Sequence, residues 1–334
     1  MLLMLEFSMI HADSRRAALE SWLAAQLRGA RFSLAPASVD ASFRRYFRAA
    51  LPDGRSYVVM DAPPGKEDCR PFVHVAGLLR AAGVHAPEVH AGDLAQGFLL
   101  LGDLGTQTYL QELNADNAAR LLGDATDALL RWQLATRPGE LPPYDGELLR
   151  REMDLFPQWY VSRHLGVELS NAQKSGLEGI FRLLAESALA QPAVYVHRDY
   201  MPRNLMLSDP NPGVLDFQDA VLGPITYDMV SLLRDAFVSW DDERVLDWSV
   251  RYWEKAKRAG LPVETDFAEF WRAFEWMGLQ RHLKVLGIFA RINYRDGKPK
   301  YLMDTPRFLA YARPVAQRYR ELAPLNRLLD EIEA

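Results

Sequence analysis

The sequence predicts an α+β fold with two lobes, a small β-rich N-lobe and a larger, mostly helical C-lobe. Three observations carry this expectation. Short apolar runs separated by turn residues fill roughly the first 100 residues. From Ala115 onward, long amphipathic segments replace them. One polar, strand-like interruption, residues 194–217, breaks the helical half. A chain of 334 residues is long for one domain and fits two lobes.

Taken in order, the start "MLLMLEFSMI" is apolar but short, and Glu6 interrupts it. It lacks a basic leader and a small-residue cleavage pattern, so residues 1–13 read as an extension. From Asp13, the 3–4 spacing of Leu19, Trp22, Leu23 and Leu27 predicts a helix that stops at Gly29. Residues 31–39 and 44–51 predict two strands around a loop at Asp40 to Phe43. Pro52 to Gly54 predicts a turn, and 56–62 a third strand. A helix over 70–82 ends at Gly83, and strands follow over 85–93 and 97–105. The N-lobe is thus assigned to 14–101, a hinge to 102–106 and the C-lobe to 107–334. Within the C-lobe, helices are predicted over 115–136, 147–165, 171–190, 226–238, 241–259, 266–292 and 304–333. Pro157 should kink or end the second of these. In the interruption, "VYVH", "NLMLS" and "GVLDF" read as strands, with a tight turn at Asp209 to Gly213.

Composition narrows the function classes. About half the residues are hydrophobic, a quarter are charged, and the formal net charge is -5. A nucleic-acid binder would show a basic excess or stripe, whereas Arg44, Arg45 and Arg48 form only a local cluster. No run approaches the ~20 apolar residues of a membrane helix. Cys69 is the sole cysteine, so no intrachain disulfide can form and a cytoplasmic location is expected.

The polar interruption carries the chemistry. It places His197, Asp199 and Asn204 at the offsets of the H-R-D-x-x-x-x-N phosphoryl-transfer loop, and Asp216 follows in a D-F pair. Phosphoryl transfer needs a carboxylate beside the acceptor hydroxyl and oxygen ligands for the magnesium that bridges the phosphates. Asp199 is the expected base, Asn204 and Asp216 the expected metal ligands, and His197 a support for the loop. A lone H-x-D or D-F more often caps a helix or closes a turn. The combination of loop, Asn, apolar strand, turn and Asp is far more specific.

"VHRDYMPRNLML" together with "GVLDFQDAVLGPITYDMVSLLRD" resembles the aminoglycoside phosphotransferase and choline kinase superfamily. The resemblance implies a protein-kinase-like bilobal fold and phosphorylation of small-molecule hydroxyls by ATP with Mg²⁺. Met201 stands where protein kinases carry Lys or Arg, which favours the small-molecule branch. Asp228 matches the superfamily's structural Asp, which implies a cap for its helix and a brace for the loop. "SFRRYFR" and "VVMDAPP" add a resemblance to one subfamily, the bacterial N-acetylmuramate/N-acetylglucosamine anomeric kinases of cell-wall recycling. The resemblance covers about residues 14–320. It implies phosphorylation of the C1 hydroxyl and a sugar 1-phosphate passed to a nucleotidyltransferase.

The N-lobe departs from the kinase pattern. The third strand carries Met60 where a Lys is expected, and "DASFRR" (Asp40 to Arg45) contains no glycine. Arg44 or Arg45 could grip the phosphates, helped by Ser42 and backbone N–H groups. Lys66 could swing in instead, or the chain could be a degraded kinase. The complete Asp199, Asn204 and Asp216 set argues against degradation, and Arg44 is favoured. The bland alternative is three solvated arginines on a hairpin. Met60 could pack over the adenine side, and the fold implies backbone contacts from Gly102, Asp103 and Leu104 to the adenine edge.

Candidate acceptor residues are Glu152, with Asp154 and Trp159 around the Pro157 kink, and Trp276, Gln280, Arg281 and Lys284 at helical spacing. Asp219, close to Asp216 in sequence, is another. Alternatively, Trp276, Leu279, Leu283 and Leu286 form a core stripe with Arg281 and Lys284 as its solvated edge. The mixture of acids with Arg281, Lys284 and Arg291 suits a neutral or acidic sugar better than a polycationic aminoglycoside. A kinase of another alcohol (aminoglycoside, choline or homoserine) and a non-catalytic nucleotide-binding scaffold are the competing readings.

Overall fold

The spacing of Leu19, Trp22, Leu23 and Leu27 is realised in helix α1 (Leu2–Gln26), which begins before the expected start at Asp13. The computed structural model describes residues 2–38 and 43–332, with only the backbone considered for 2–13 and 38. The chain divides into two units. One comprises Met1–Thr106 and Leu207–Gln218, the other Gln107–Met206 and Asp219–Ala334. Among the described residues, no helix is long and apolar enough to cross a membrane.

In the first unit, β1 (Ser33–Ser38), β2 (Arg45–Ala50) and β3 (Ser56–Asp61) are followed by α2 (Arg70–Ala81), β4 (Val89–Asp93) and β5 (Phe98–Gly102). The strands form one antiparallel sheet in the order β1-β2-β3-β5-β4. Period-2 alternation decides its faces. Phe47 lies opposite Val59, and Val59 opposite Leu100. These three join Ala49, Phe98 and the α1 residues Leu19 and Leu23 in one buried cluster. Each large apolar side chain buried there contributes about 1.5–3 kcal/mol. Gly97 is required by close approach: its φ is 72°, and an added Cβ would lie 1.8 Å from the Ala62 carbonyl oxygen.

The second unit opens with α3 (Tyr109–Glu112), α4 (Ala118–Leu134) and α5 (Gly146–Met153). The Asp145 side chain accepts the Leu148 N–H at the start of α5. Residues Phe156–His164 then form a π-helical segment. Pro157 lies at its second position and has no N–H to continue the α5 ladder, so the expected break occurs as a widening of the helix. Next come α6 (Asn171–Ala190), β6 (Ala193–Val196) and β7 (Leu205–Met206).

The segment Leu207–Gln218 returns to the first unit. There Val214 donates its N–H to the His85 carbonyl (2.7 Å), and His85 Nδ1 donates to the Pro210 carbonyl (2.6 Å). The strand expected over 213–217 is only β8 (Gly213–Val214). Asp216 ends the extended run by adopting a φ of 63°, a left-handed conformation that Asp tolerates better than most residues.

Back in the second unit, β9 (Val221–Pro224) pairs antiparallel with β6, a strand the periodicity did not reveal. Helix α7 (Tyr227–Leu233) is shorter than the predicted 226–238. The Asp235 carboxylate accepts the N–H groups of Phe237 (2.8 Å) and Val238 (3.0 Å), a local turn that competes with the helix. Helices α8 (Asp242–Arg258) and α9 (Phe267–Asp296) follow. The predicted 304–333 helix is α10 (Thr305–Arg318) and α11 (Ala323–Ile332), the latter with Pro324 in its first turn, where proline is tolerated. Helix α9 is the axis of this unit, buried from Phe274 to Gly287. At Gly287 an added Cβ would meet the Leu155 backbone at 2.3 Å, so only glycine admits this packing.

Candidate active site

The β6–β9 pair delivers the chain into the loop that begins at His197. His197 is buried, its ring meets Tyr200 edge-on at 5.6 Å, and its Nδ1 accepts the Asp199 N–H (3.3 Å). The Asp199 carbonyl accepts the Met201 N–H (2.9 Å) and Asn204 Nδ2 (2.9 Å). Tyr200 Oη donates to the Ala125 carbonyl on α4 (2.7 Å). Asp199 itself is half-buried.

Asp228 lies in the first turn of α7 and is fully buried. Its two oxygens accept the N–H groups of His197 (2.7 Å) and Arg198 (3.0 Å). Burial pushes its carboxyl up to about 7, opposed by these same hydrogen bonds. The bonds recorded for it brace the loop rather than cap the helix. Arg198 is held with a φ of 76°, a strained conformation for a residue with a Cβ.

The Arg198 side chain enters a buried polar network. Its Nη2 donates to Glu152 Oε1 (2.6 Å), which also faces Lys284 Nζ (2.8 Å). Glu152 Oε2 accepts from Tyr144 Oη and from Gln280 Nε2 (3.3 Å). Lys284 Nζ further donates to Tyr227 Oη (2.9 Å). Burial alone would raise the Glu152 carboxyl. Lys284 and Arg198 outweigh it and bring the value down to about 2. Burial likewise opposes charge on Lys284, but Tyr227 and Glu152 raise it above the ordinary lysine range.

The candidate acceptor residues do not all meet. Glu152 and Gln280 are bonded directly. Asp219 is exposed and offers its carbonyl to Arg198 Nη1 (3.4 Å). Trp276 is buried elsewhere along α9, with the Arg272 guanidinium 4.4 Å from its ring centroid and Tyr319 edge-on at 5.7 Å. Arg281 turns to the Arg234 carbonyl (3.4 Å). The core stripe of Trp276, Leu279, Leu283 and Leu286 is buried as expected. The solvated-edge alternative fails, because Arg281 and Lys284 are buried too. Their carboxylate and carbonyl partners come from distant parts of the chain. Sequence reasoning missed Tyr144, Tyr227 and the role of Arg198. The only signal was an arginine inside an apolar-flanked loop, which needs a partner.

In the first unit, Arg44 Nε donates to Glu67 (3.1 Å), and Arg45 Nε to Asp61 (2.9 Å). Arg48 grips Asp103 through Nε (2.6 Å) and Nη2 (3.0 Å). The picture of three solvated arginines is therefore replaced by three ion pairs. Met60 is fully buried, in register between Tyr46 and Leu99. Gly102 donates its N–H to Glu88 O (2.8 Å), Asp103 accepts the Gly105 N–H (3.0 Å), and Leu104 is half-buried between them. Lys66 Nζ sits 5.3 Å from the Phe43 ring centroid. Asp216 Oδ1 accepts Gln218 Nε2 (2.9 Å). Ser42 lies outside the described residues.

Residues 33–265 match the phosphotransferase enzyme family. The chain is 60% identical over 302 residues to an N-acetylmuramate/N-acetylglucosamine kinase of Pseudomonas putida, covering 90% of this chain and 89% of that one. It is 52% identical over 322 residues to a protein of the same name from Neisseria meningitidis, covering 95% and 96%. Among solved structures, a choline/ethanolamine kinase family protein from Mesorhizobium loti superposes with a TM-score of 0.59 at 17% identity, covering 94% of this chain and 99% of that one. An ADP-bound aminoglycoside phosphotransferase gives 0.55 at 15%, covering 88% and 97%. At such identities these two likenesses concern the fold alone.

Proposed function

The chain belongs to the phosphotransferase enzyme family and is an ATP-dependent small-molecule kinase, and from that premise we propose that it phosphorylates the C1 hydroxyl of N-acetylmuramate and N-acetylglucosamine. The observation that carries this reading is the 60% identity, over nine-tenths of the chain, to a protein named for those two sugars. In the proposed reaction Asp199 accepts the proton of the acceptor hydroxyl as that oxygen attacks the γ-phosphorus of ATP. The bond to the β-γ bridging oxygen breaks, and ADP and the sugar 1-phosphate leave. A hemiacetal hydroxyl is more acidic than an ordinary alcohol, so a plain carboxylate suffices. Positioning and charge neutralisation then supply most of the acceleration.

Magnesium suits the chemistry of the residues proposed to hold it, Asn204 in the second unit and Asp216 in the first. The Asn204 amide nitrogen is committed to the Asp199 carbonyl, so the donor atom Asn204 brings is Oδ1, and Asp216 brings a carboxylate. Both are hard oxygen ligands of the kind this ion takes. When bound, it would neutralise phosphate charge. The product, an activated sugar phosphate, suits a nucleotidyltransferase in peptidoglycan recycling. ATP dependence and a single cysteine suit the cytoplasm.

The test is ATP consumption with Mg²⁺ and each of N-acetylglucosamine, N-acetylmuramate, kanamycin, choline and homoserine, with ³¹P NMR locating the phosphate. Turnover on the two amino sugars with phosphorus coupled to the anomeric proton is expected. Turnover on kanamycin alone would overturn the reading. Asp199→Asn should lower turnover by about 10²–10⁴-fold with ATP affinity nearly unchanged. Persistent activity would remove Asp199 as the base.

A further inference from the structure

We propose that Glu152 is a positioning residue that holds the phosphoryl-transfer loop in place through Arg198 and does not itself touch the acceptor. The inference rests on the reading of Asp199 as the base. Arg198 immediately precedes Asp199, and its left-handed φ of 76° is a conformation that persists only where the surroundings over-determine it. Two anchors do so. The backbone N–H is tied to Asp228 Oδ1 (3.0 Å), and the far end of the side chain to Glu152 Oε1 (2.6 Å). The residue before the base is thus pinned at main chain and guanidinium by carboxylates from two different helices, α7 and α5.

Glu152 is saturated by this arrangement. An ionised carboxylate offers about four acceptor sites. Here Oε1 faces Arg198 and Lys284, and Oε2 faces Tyr144 and Gln280, so four donors occupy them. A sugar hydroxyl would have to displace one. The donors come from the loop, from α9 and from the stretch before α5, so Glu152 fixes the loop against the buried axis of its unit. The cluster of Glu152, Arg198 and Lys284 carries a net charge of about +1, and removing the carboxylate leaves the half-buried Arg198 and the buried Lys284 without their shared anion.

The experiment separates positioning from sugar contact and from plain stability. Glu152→Gln keeps the side-chain volume and loses the charge. It should lower kcat about 100-fold, with KM for sugar and for ATP within about twofold of wild type. A rise in sugar KM with kcat preserved would instead make Glu152 a sugar contact and overturn the proposal. Because two uncompensated cations could hamper folding, the second variant is Glu152→Gln with Lys284→Met, which keeps the net charge of the cluster. It should recover the Tm while kcat stays low. Recovery of kcat together with Tm would reduce Glu152 to a stability role and overturn the proposal. Glu178→Gln, which breaks an exposed pair with Arg150 on the same helix α5, is the control and should leave kcat unchanged. Wild-type kcat in the Glu152 variants beside an inactive Asp199→Asn would defeat positioning alone. An active Asp199→Asn would defeat the base assignment on which the proposal rests.

Discussion

Asp61 in the first unit and Glu152 in the second are both buried carboxylates that face two cationic side chains, and they serve different ends. Asp61 closes β3 on the face that carries Val59, and alternation directs it toward the α1 side of the sheet. Its partners are Arg15 from α1 (2.6 Å) and Arg45, its register partner on β2. Those arginines keep 24% and 36% of their side-chain surface in solvent, so their charges stay partly hydrated. The pairing clips a helix to a sheet. Glu152 faces Arg198 and Lys284 at only 21% and 10% exposure, and one of them belongs to the loop that carries the proposed base. The same device ties together a scaffold in one unit and the loop of the proposed base in the other. What separates them is the element to which the cation is attached and the deeper burial of Lys284, since Arg15 and Arg198 are about equally exposed.

That contrast can be broken in order of expected effect. Glu152→Ala should cost about 3–5 kcal/mol in urea unfolding, because it strands the buried Lys284 and the half-buried Arg198. A loss below about 1 kcal/mol would mean that the network relaxes as easily as a surface one. Second comes pH. The Glu152 carboxyl is about 2 in the fold against an ordinary 4.5, so its folded value is depressed. Its contribution, about 3 kcal/mol, is therefore complete above pH 4.5 and lost as pH falls from 4.5 toward 2. Wild type should lose this much more stability than Glu152→Gln between pH 6 and pH 2. Parallel losses would refute the assignment. Smallest, Asp61→Asn should cost about 2 kcal/mol, since hydrated arginines tolerate loss of a partner better, and kcat should stay within about twofold. A large kcat loss would show that the clip also serves the reaction.

How much of this was legible follows from the range of the forces involved. The strands of the first unit were readable because period-2 patterns and turn residues are local. The helix over 70–82 appeared almost as expected, as Arg70–Ala81. The loop of His197, Asp199 and Asn204 could be proposed because its offsets lie within eight residues of chain. Helix ends were less legible, as the Asp235 turn that stops α7 and the widening at Pro157 show. The strand β9 was hidden because four residues carry too little periodicity until β6 supplies a partner.

The sequence by itself determined the two-part division into a β-rich region and a helical one, the spacing of the proposed phosphoryl-transfer loop and the absence of a lysine in the third strand. These follow from composition, period and short spacing, all of which act over a few residues. Only the tertiary structure decided that Glu152 accepts bonds from Arg198, Lys284, Tyr144 and Gln280, that Arg281 and Lys284 are buried, and that Trp276 stands apart from them. Those partners lie as much as 132 residues apart in the chain, as Glu152 and Lys284 do. No local pattern encodes which buried charge meets which. The choice is made when helices pack and each desolvated cation must find an oxygen acceptor.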